Sequence, residues 1–333
     1  MLITTTFFTG INQIELPATS RRGERFAEYY YLTTDEAQIG EVTKPFAHGL
    51  GSVETSYLTC GGAKALVYRI SKQEVDTAHI AASLGRLLIE DMKMVKNLQY
   101  NLWVIKDNAV HFDRCWIATA PAPIRPVINN NTWESRQSCA DGSFRPVRFN
   151  LEELCRARLI VQDPALTISS SSTSTMLTSD SLRYQRFQYF VDIGRTSADV
   201  AMKIAQYCSG LEALVSTAQT ELSHQVSERV AAILAIPGEK RIAIFKQVKE
   251  AYGFRSKAVH GATFKPKDDE RLRQCARRVD QICRDLVHVY FDPESGFRAA
   301  IDGSDEATTE FFVARVLGSG AQFVPDDRKQ ADD

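Results

Sequence analysis

Near residues 166–180 of this 333-residue chain the hydrophobic period changes from about two to about 3.6. That change limits the possible folds more than any other feature. A period of two lays side chains alternately on the two faces of a strand, whereas 3.6 gathers them into one stripe on a helix. A chain that uses the two in succession is predicted to be α+β overall. A mixed, strand-rich N-terminal domain precedes an all-α helical bundle.

In the first part, residues 26–32 and 64–70 are short runs of aromatic and β-branched residues that read as strands. Residues 101–106 and 109–117 flank Asp107 and Asn108, two residue types that tolerate positive φ, so a hairpin is expected there. Helical interruptions are expected at 75–97 and 151–160. Pro121, Pro123, Pro126 and the Asn129–Asn131 run predict a loop to about residue 144. The Ser/Thr cluster from Ile168 to Asp180 offers almost no core side chains and reads as a linker, with a polar edge strand as the alternative. The expected organisation is a strand-rich domain over 1–165, a linker over 166–180, a helical domain over 181–317 and an acidic tail over 318–333.

Val200, Ile204, Cys208, Leu211 and Val215 mark the first helical stripe, entered through Thr196-Ser-Ala-Asp199 in a capping-box pattern. Leu222, Val226, Val230 and Ile233 mark a second, and Ile244, Phe245, Val248 and Tyr252 a third. The longest runs from Asp268 to about Tyr290, its acidic start suiting the helix dipole. Glu306–Leu317 supplies a fifth.

A hydrophobic content of 44% with 24% charged residues is that of a soluble globular protein. Apolar runs such as Val230–Ile236 fall far short of the ~20 residues that span a bilayer, so no membrane association is expected. Residues 1–8 lack the basic start of a signal peptide. The 7 cysteines (60, 115, 139, 155, 208, 275, 283) contain no Cys-x-x-Cys pair, which reads as reduced thiols in a cytoplasm without a zinc site. His48, His79, His111, His224 and His288 lack metal-ligand spacing, and the glycine pairs match no nucleotide loop. No cofactor is expected. Residues 181–300 carry 19 Lys/Arg against 14 Asp/Glu, and residues 301–333 carry 3 against 8. A basic helical body with an acidic end suits a polyanion ligand; a solvated surface with an acidic tail is the plainer reading.

The chemistry concentrates in residues 255–261, which read RSKAVHG. An imidazole moves protons near neutral pH, and a guanidinium holds a phosphate with a planar fork of donors. Together the two groups form a minimal toolkit for cutting RNA without a metal, which makes Arg255 and His260 the candidate catalytic residues. The same residues also suit a helix terminus: Lys257 and His260 would face the negative end of the dipole, and Gly261 would take the left-handed C′ position. Five residues at ~100° each place Arg255 and His260 roughly 140° apart on a straight helix. Gly253 offers a point of bending. A symmetric dimer offers another solution, because two copies facing each other bring both arginines and both histidines to one groove.

The order Gly210-Leu-Glu-Ala-Leu214, Thr220-Glu-Leu-Ser223, Glu228-Arg-Val-Ala231, Ile244-Phe-Lys-Gln-Val-Lys-Glu-Ala-Tyr252 and then Arg255 to Gly261 resembles the HEPN superfamily. More narrowly, it resembles the Apea-like HEPN group. The likeness covers about residues 181–290. It implies a HEPN-type bundle that forms a homodimer through its motif-bearing helices, with RNA as substrate. It also implies metal-independent endoribonuclease activity in bacterial anti-phage defence or a toxin-like system, with an antitoxin or a phage-derived trigger as partner. The family's arginine and histidine fall on Arg255 and His260. The polar residue that follows the arginine is Ser256, smaller than the Asn, Asp or His usual there. Glu212 is the candidate to orient Arg255. Tyr252 is a candidate to stack on a base, and Lys257, Lys265, Lys267 and Arg271 to track the RNA backbone. The alternative is a HEPN module that dimerises or binds nucleotide or RNA without cutting it. A third reading makes the N-terminal domain the functional part and the bundle its oligomerisation handle.

Overall fold

The computed structural model describes residues 1–17, 20–120, 127–130, 136–160, 177–178, 180–218 and 220–318. The chain divides into two compact units. The first holds Met1–Cys139 and Ser143–Gln162; the second holds Ala140–Gly142 and Asp163–Asp333. The proposed linker, apart from residues 177, 178 and 180, and the acidic tail beyond Gly318 lie outside the described residues.

The first unit is built on strand β1 (Leu2–Asn12), paired antiparallel with β5 (Ala65–Glu74) on one side and β6 (His111–Ala120) on the other. β3 (Glu24–Ala27), β4 (Tyr30–Thr33) and β7 (Val127–Asn129) complete six strands in the order β3-β4-β5-β1-β6-β7. The short strands β2 (Ile14–Glu15) and β8 (Val147–Arg148) pair parallel in a separate two-stranded sheet. Alternation along β1 feeds two cores. Phe7, Val67 and Ile117 face one cluster, whereas Phe8, Leu66, Tyr68 and Trp116 face the other.

Helix α4 (Ile80–Ile105) covers the first face with Leu84, Leu88, Val95, Leu98 and Leu102, joined by Leu154 and Ala157 of α5 (Leu151–Leu159). Burying each large aliphatic side chain contributes about 1.5–3 kcal/mol relative to exposure. The second face is covered by α1 (Glu36–Thr43), α2 (Ala47–Leu50) and α3 (Ser52–Thr59), through Ile39, Val42, Phe46, Leu50 and Leu58. Phe8 stacks on Trp116 there, with ring centroids 5.7 Å apart.

Three sequence expectations change here. Residues 101–105 end α4 and are not a strand, so no hairpin turns at Asp107 and Asn108. Asn101, Leu102, Trp103 and Val104 are all buried, and a short segment buried on every side has no periodicity that separates helix from strand. Asn108 instead turns the chain from helix to strand: its side chain donates to the Lys106 carbonyl at 2.8 Å and accepts from the Val110 N–H at 3.0 Å. The run 26–32 splits between β3 and β4, with Tyr29 at φ 64° between them. Helices α1–α3 fall in a stretch read as strand and loop. They are short, and Pro45, Gly49 and Gly51 interrupt any long period.

One polar group lies deep in this unit. Arg69 of β5 grips Asp91 of α4 with two parallel bonds, Nε to Oδ1 and Nη2 to Oδ2, each 2.6 Å. The Tyr30 hydroxyl of β4 donates to the same carboxylate, and Arg69 Nη1 reaches the Thr5 hydroxyl of β1 at 3.1 Å. Three strands and α4 are thereby joined through one ion pair.

The second unit contains α6 (Arg183–Thr196), α7 (Val200–Val215), α8 (Leu222–Leu234), α9 (Glu239–Val259), α10 (Asp269–Phe291), α11 (Phe297–Asp302) and α12 (Asp305–Leu317). The overall architecture is therefore α+β, an antiparallel sheet unit followed by a helical one. Helix α7 is central, packing on α6, α8, α9 and α10. Ile204, Cys208, Leu211 and Val215 on its stripe are fully buried. Its N-cap is Asp199, whose carboxylate accepts from the Met202 N–H at 2.8 Å; Thr196 belongs to the end of α6. The C-terminus of α6 is held by Lys203, whose buried ammonium donates to the carbonyls of Gly194 at 2.8 Å and Arg195 at 3.3 Å.

Helices α6 and α7 approach closely because position 194 has no side chain. A Cβ there would lie 2.8 Å from Tyr207 Cε1, and that buried ring is held by its hydroxyl bond to Asp280 at 3.0 Å. Alanine is the better helix former by about 1 kcal/mol, but overpacking costs about 1–3 kcal/mol, so Gly194→Ala is expected to destabilise the unit. Gly253, in the middle of α9, meets nothing within 4 Å, so Gly253→Ala is expected to stabilise it. Paired thermal melts check these opposite signs.

All seven cysteines are free, and only Cys60 and Cys155 are exposed. Burial pushes the Cys275 thiol up to about 12 and raises Cys139, Cys208 and Cys283 as well. Alkylation of the native protein is expected to stop at two adducts, and in denaturant to reach seven; intact mass distinguishes the two. No helix among the described residues is long and apolar enough to cross a membrane. No cluster of three or more metal-ligating side chains occurs among them.

Candidate functional site

Helix α9 stops at Val259, and its end is built by backbone alone. The Gly261 N–H donates to the Ala258 carbonyl at 3.3 Å and the Ala262 N–H to the Lys257 carbonyl at 2.9 Å. With Gly261 at φ 71°, this is a Schellman cap. A side chain at 261 would be strained by that φ even though nothing crowds the position. His260 is the cap residue, and its N–H donates to the Ser256 carbonyl at 3.1 Å. None of these bonds uses the imidazole, which is exposed and makes no side-chain bond among the described residues.

One turn earlier, Arg255 turns toward α7. Its Nη2 donates to Glu212 Oε2 at 3.1 Å, and its guanidinium carbon lies 5.7 Å from the centre of the Tyr252 ring. The side chain is about one-third exposed, at 32%. Behind the pair, Cys208 is fully buried, and desolvation holds its thiol protonated. Burial, followed by the adjacent Glu212 carboxylate, pushes the Tyr252 phenol far up.

Among the described residues, three buried polar atoms in this small group lack a well-formed hydrogen bond, Glu212 Oε1, Tyr252 Oη and Arg255 Nε, although the Tyr252 hydroxyl lies close enough to the Glu212 carboxylate to be raised by it. Each such atom costs about 1–3 kcal/mol relative to a satisfied one. Native interiors keep few of them, so three on adjacent side chains mark a place where a polar ligand or water can bind. The arrangement holds a guanidinium against an aromatic ring, with one nitrogen on a carboxylate, its Nε buried, and the side chain one-third exposed. That is an anion-binding group with its orientation already set.

The other sequence candidates divide. Tyr252 is 7% exposed, and its ring lies against the Arg255 guanidinium and not on the open surface. Arg271 is exposed, but its Nε pairs with Glu250 at 2.6 Å and its charge lies over the Phe254 ring, so it is not a free backbone-tracking cation. Lys257, Lys265 and Lys267 are exposed and form no ion pair among the described residues. Ser256 is exposed on the last turn of α9. Helix α9 is continuous through Gly253. No hydrogen bond or ion pair joins Arg255 to His260 within the chain. One side chain is drawn back to α7, and the other stands free at the cap.

Sequence reasoning assigned no element to α6, which carries Arg183 and Arg186. The signal was present in Tyr184, Phe187 and Val191, spaced three and four apart and all buried. No family model matches this chain, and neither a curated protein nor a solved structure matches it.

Proposed function

We propose that the helical unit is a metal-independent endoribonuclease of the HEPN type, with a composite active site at the interface of a homodimer. The observation that carries this reading is the division of labour at the end of α9. Arg255 is oriented by Glu212 and Tyr252, while the His260 imidazole is left unused by the cap.

In the reaction a ribose 2′-OH attacks the adjacent phosphorus in line, and its proton passes to His260 of one protomer. The P–O5′ bond breaks, and the partner's His260 protonates the departing oxygen. Arg255 neutralises the charge that develops on the non-bridging oxygens. The products are a 2′,3′-cyclic phosphate and a 5′-OH. DNA, lacking the 2′-OH, is not cut by this route. Glu212 is a positioning residue that acts through Arg255. A role in anti-phage defence or as a toxin follows from the family resemblance.

One observation favours a second reading, in which the unit binds RNA without cutting it: among the described residues no side chain holds the His260 ring in a fixed tautomer. Incubation of the full chain with cellular RNA in excess EDTA separates the two. Cutting with 2′,3′-cyclic phosphate ends supports the nuclease. Retarded but intact RNA supports the binding module. Cutting that requires a divalent metal and survives His260→Ala rules out the mechanism.

A further inference from the structure

The helical unit carries an open groove that the chemistry above does not use. It lies between α6, α7, the 216–218 segment and the start of α12, with a volume of about 580 Å3. Arg183, Arg186, Phe190, Ser209, Glu212 and Asp305 line it, and Glu212 also accepts from Arg255. The groove and the candidate site therefore share Glu212.

Arg183 and Arg186 stand three residues apart on α6 and share a face. Arg183 is occupied: it donates to the Ser216 carbonyl at 2.6 Å and pairs with Asp305. Arg229, which also lies within the electrostatic reach of Arg183, donates to the Val215 carbonyl at 2.6 Å. Arg186 differs. Its guanidinium forms no hydrogen bond or ion pair among the described residues, and its buried Nε has no acceptor. Burial depresses its pKa and the positive charge of Arg183 adds to the effect, while the Asp305 carboxylate, which pairs with Arg183, opposes it without reversing it. A partly desolvated guanidinium beside a second cation is unfavourable, and a bound anion relieves both the desolvation and the repulsion. The fork geometry suits a phosphate.

We infer that Arg186 binds a backbone phosphate of a single-stranded RNA lying in this groove, upstream or downstream of the bond at Arg255. The groove is open and polar and shares Glu212 with the Arg255 anchor, and Phe190 offers an aromatic surface on the same lining as Arg186. The inference rests on the reading that RNA passes Arg255, not on whether that RNA is cut.

The test is binding of a short 2′-O-methyl oligoribonucleotide, which lacks the nucleophile, to the full-length protein across a salt series. Arg186→Ala is expected to weaken binding about tenfold near 0.1 M salt and to reduce the slope of log K against log salt by about 0.7, the value for one single-strand phosphate. Arg186→Lys is expected to keep the slope and recover part of the affinity. The melting temperature should stay close to that of the parent, because Arg186 has no partner in the protein to lose. Lys240→Ala, an exposed charge at the start of α9, is the control and should leave both quantities unchanged. Unaltered affinity and slope in Arg186→Ala would overturn the inference. So would an equal loss in Lys240→Ala, or binding of inorganic phosphate at Arg186 without any effect on the oligonucleotide. Cleavage of ordinary RNA is scored separately. Loss of binding with no cutting retires the nuclease and keeps the subsite, and cutting with unaltered binding does the reverse.

Discussion

Asp91→Ala is expected to lower the stability of the N-terminal unit by about 3–5 kcal/mol, the cost of leaving a buried ion uncompensated. Asp91 is 2% exposed and accepts two Arg69 bonds and one from Tyr30. Without it, Arg69 keeps hydroxyl partners at Thr5 and Ser71 but no negative charge. The loss is local to one unit, and so is a natural probe: all three tryptophans, at 103, 116 and 133, lie in the first 139 residues. Urea unfolding followed by tryptophan fluorescence therefore reports on the sheet unit. With an m-value of about 2 kcal/mol/M, the midpoint is expected to fall by roughly 2 M. The pair itself need not be stabilising. Replacing both partners at once, Arg69→Met with Asp91→Leu, should recover most of the loss, because well-packed apolar residues often match a buried ion pair. A single-variant loss under 1 kcal/mol would show that Arg69 reaches water and that the pair does not join the strands to α4.

The second large effect is on RNA cleavage. His260→Ala is expected to reduce kcat by about 10²–10⁴, the range for loss of a general acid or base. Arg255→Ala is expected to cost about 10²–10³, as for loss of one donor to a developing oxyanion. Arg255→Lys should not restore the rate, because an ammonium cannot reproduce the fork that reaches Glu212 and phosphate together. Glu212→Gln keeps the hydrogen bond and removes the charge, so it should lower kcat less than Glu212→Ala, with little change in KM. A role limited to packing would move neither constant while the fold held.

Subunit mixing tests the composite site directly. A His260→Ala protomer still supplies Arg255, and an Arg255→Ala protomer still supplies His260. If the working Arg255–His260 pair spans two chains, the mixed dimer holds one such pair across the seam and regains only the part of the activity that a single histidine supports, the second proton transfer falling to water. If the pair works within one chain, the mixture stays inactive. A strictly monomeric active protein would defeat the composite site by itself.

Much of the helical unit was legible because its signals are local. The stripe from Val200 to Val215 and the acidic start of α10 each depend on residues within a few turns of one another. The Gly261 cap is the clearest case. A glycine just past a periodic run, after a basic last turn, predicts a left-handed C′ residue, and Gly261 has φ 71°. Where the period failed, so did the reading. Residues 101–104 are all buried and carry no contrast between faces, and α1–α3 are too short for a period to accumulate.

By itself, the sequence determined the succession of a strand-rich and a helical unit, the end of α9, and the chemical character of Arg255 and His260. These follow from backbone conformational preference and side-chain periodicity, which act between near neighbours. Only the tertiary structure decided how those side chains are used. Arg255 and Glu212 are 43 residues apart, and their bond exists because α9 packs across α7. The same packing buries the Tyr252 ring beneath the guanidinium and leaves three polar atoms without a well-formed hydrogen bond among the described residues. The Arg69–Asp91 pair depends likewise on where α4 crosses the sheet. Contacts of this kind are set by which faces meet when helices and sheet pack, and no local pattern in the chain carries that information.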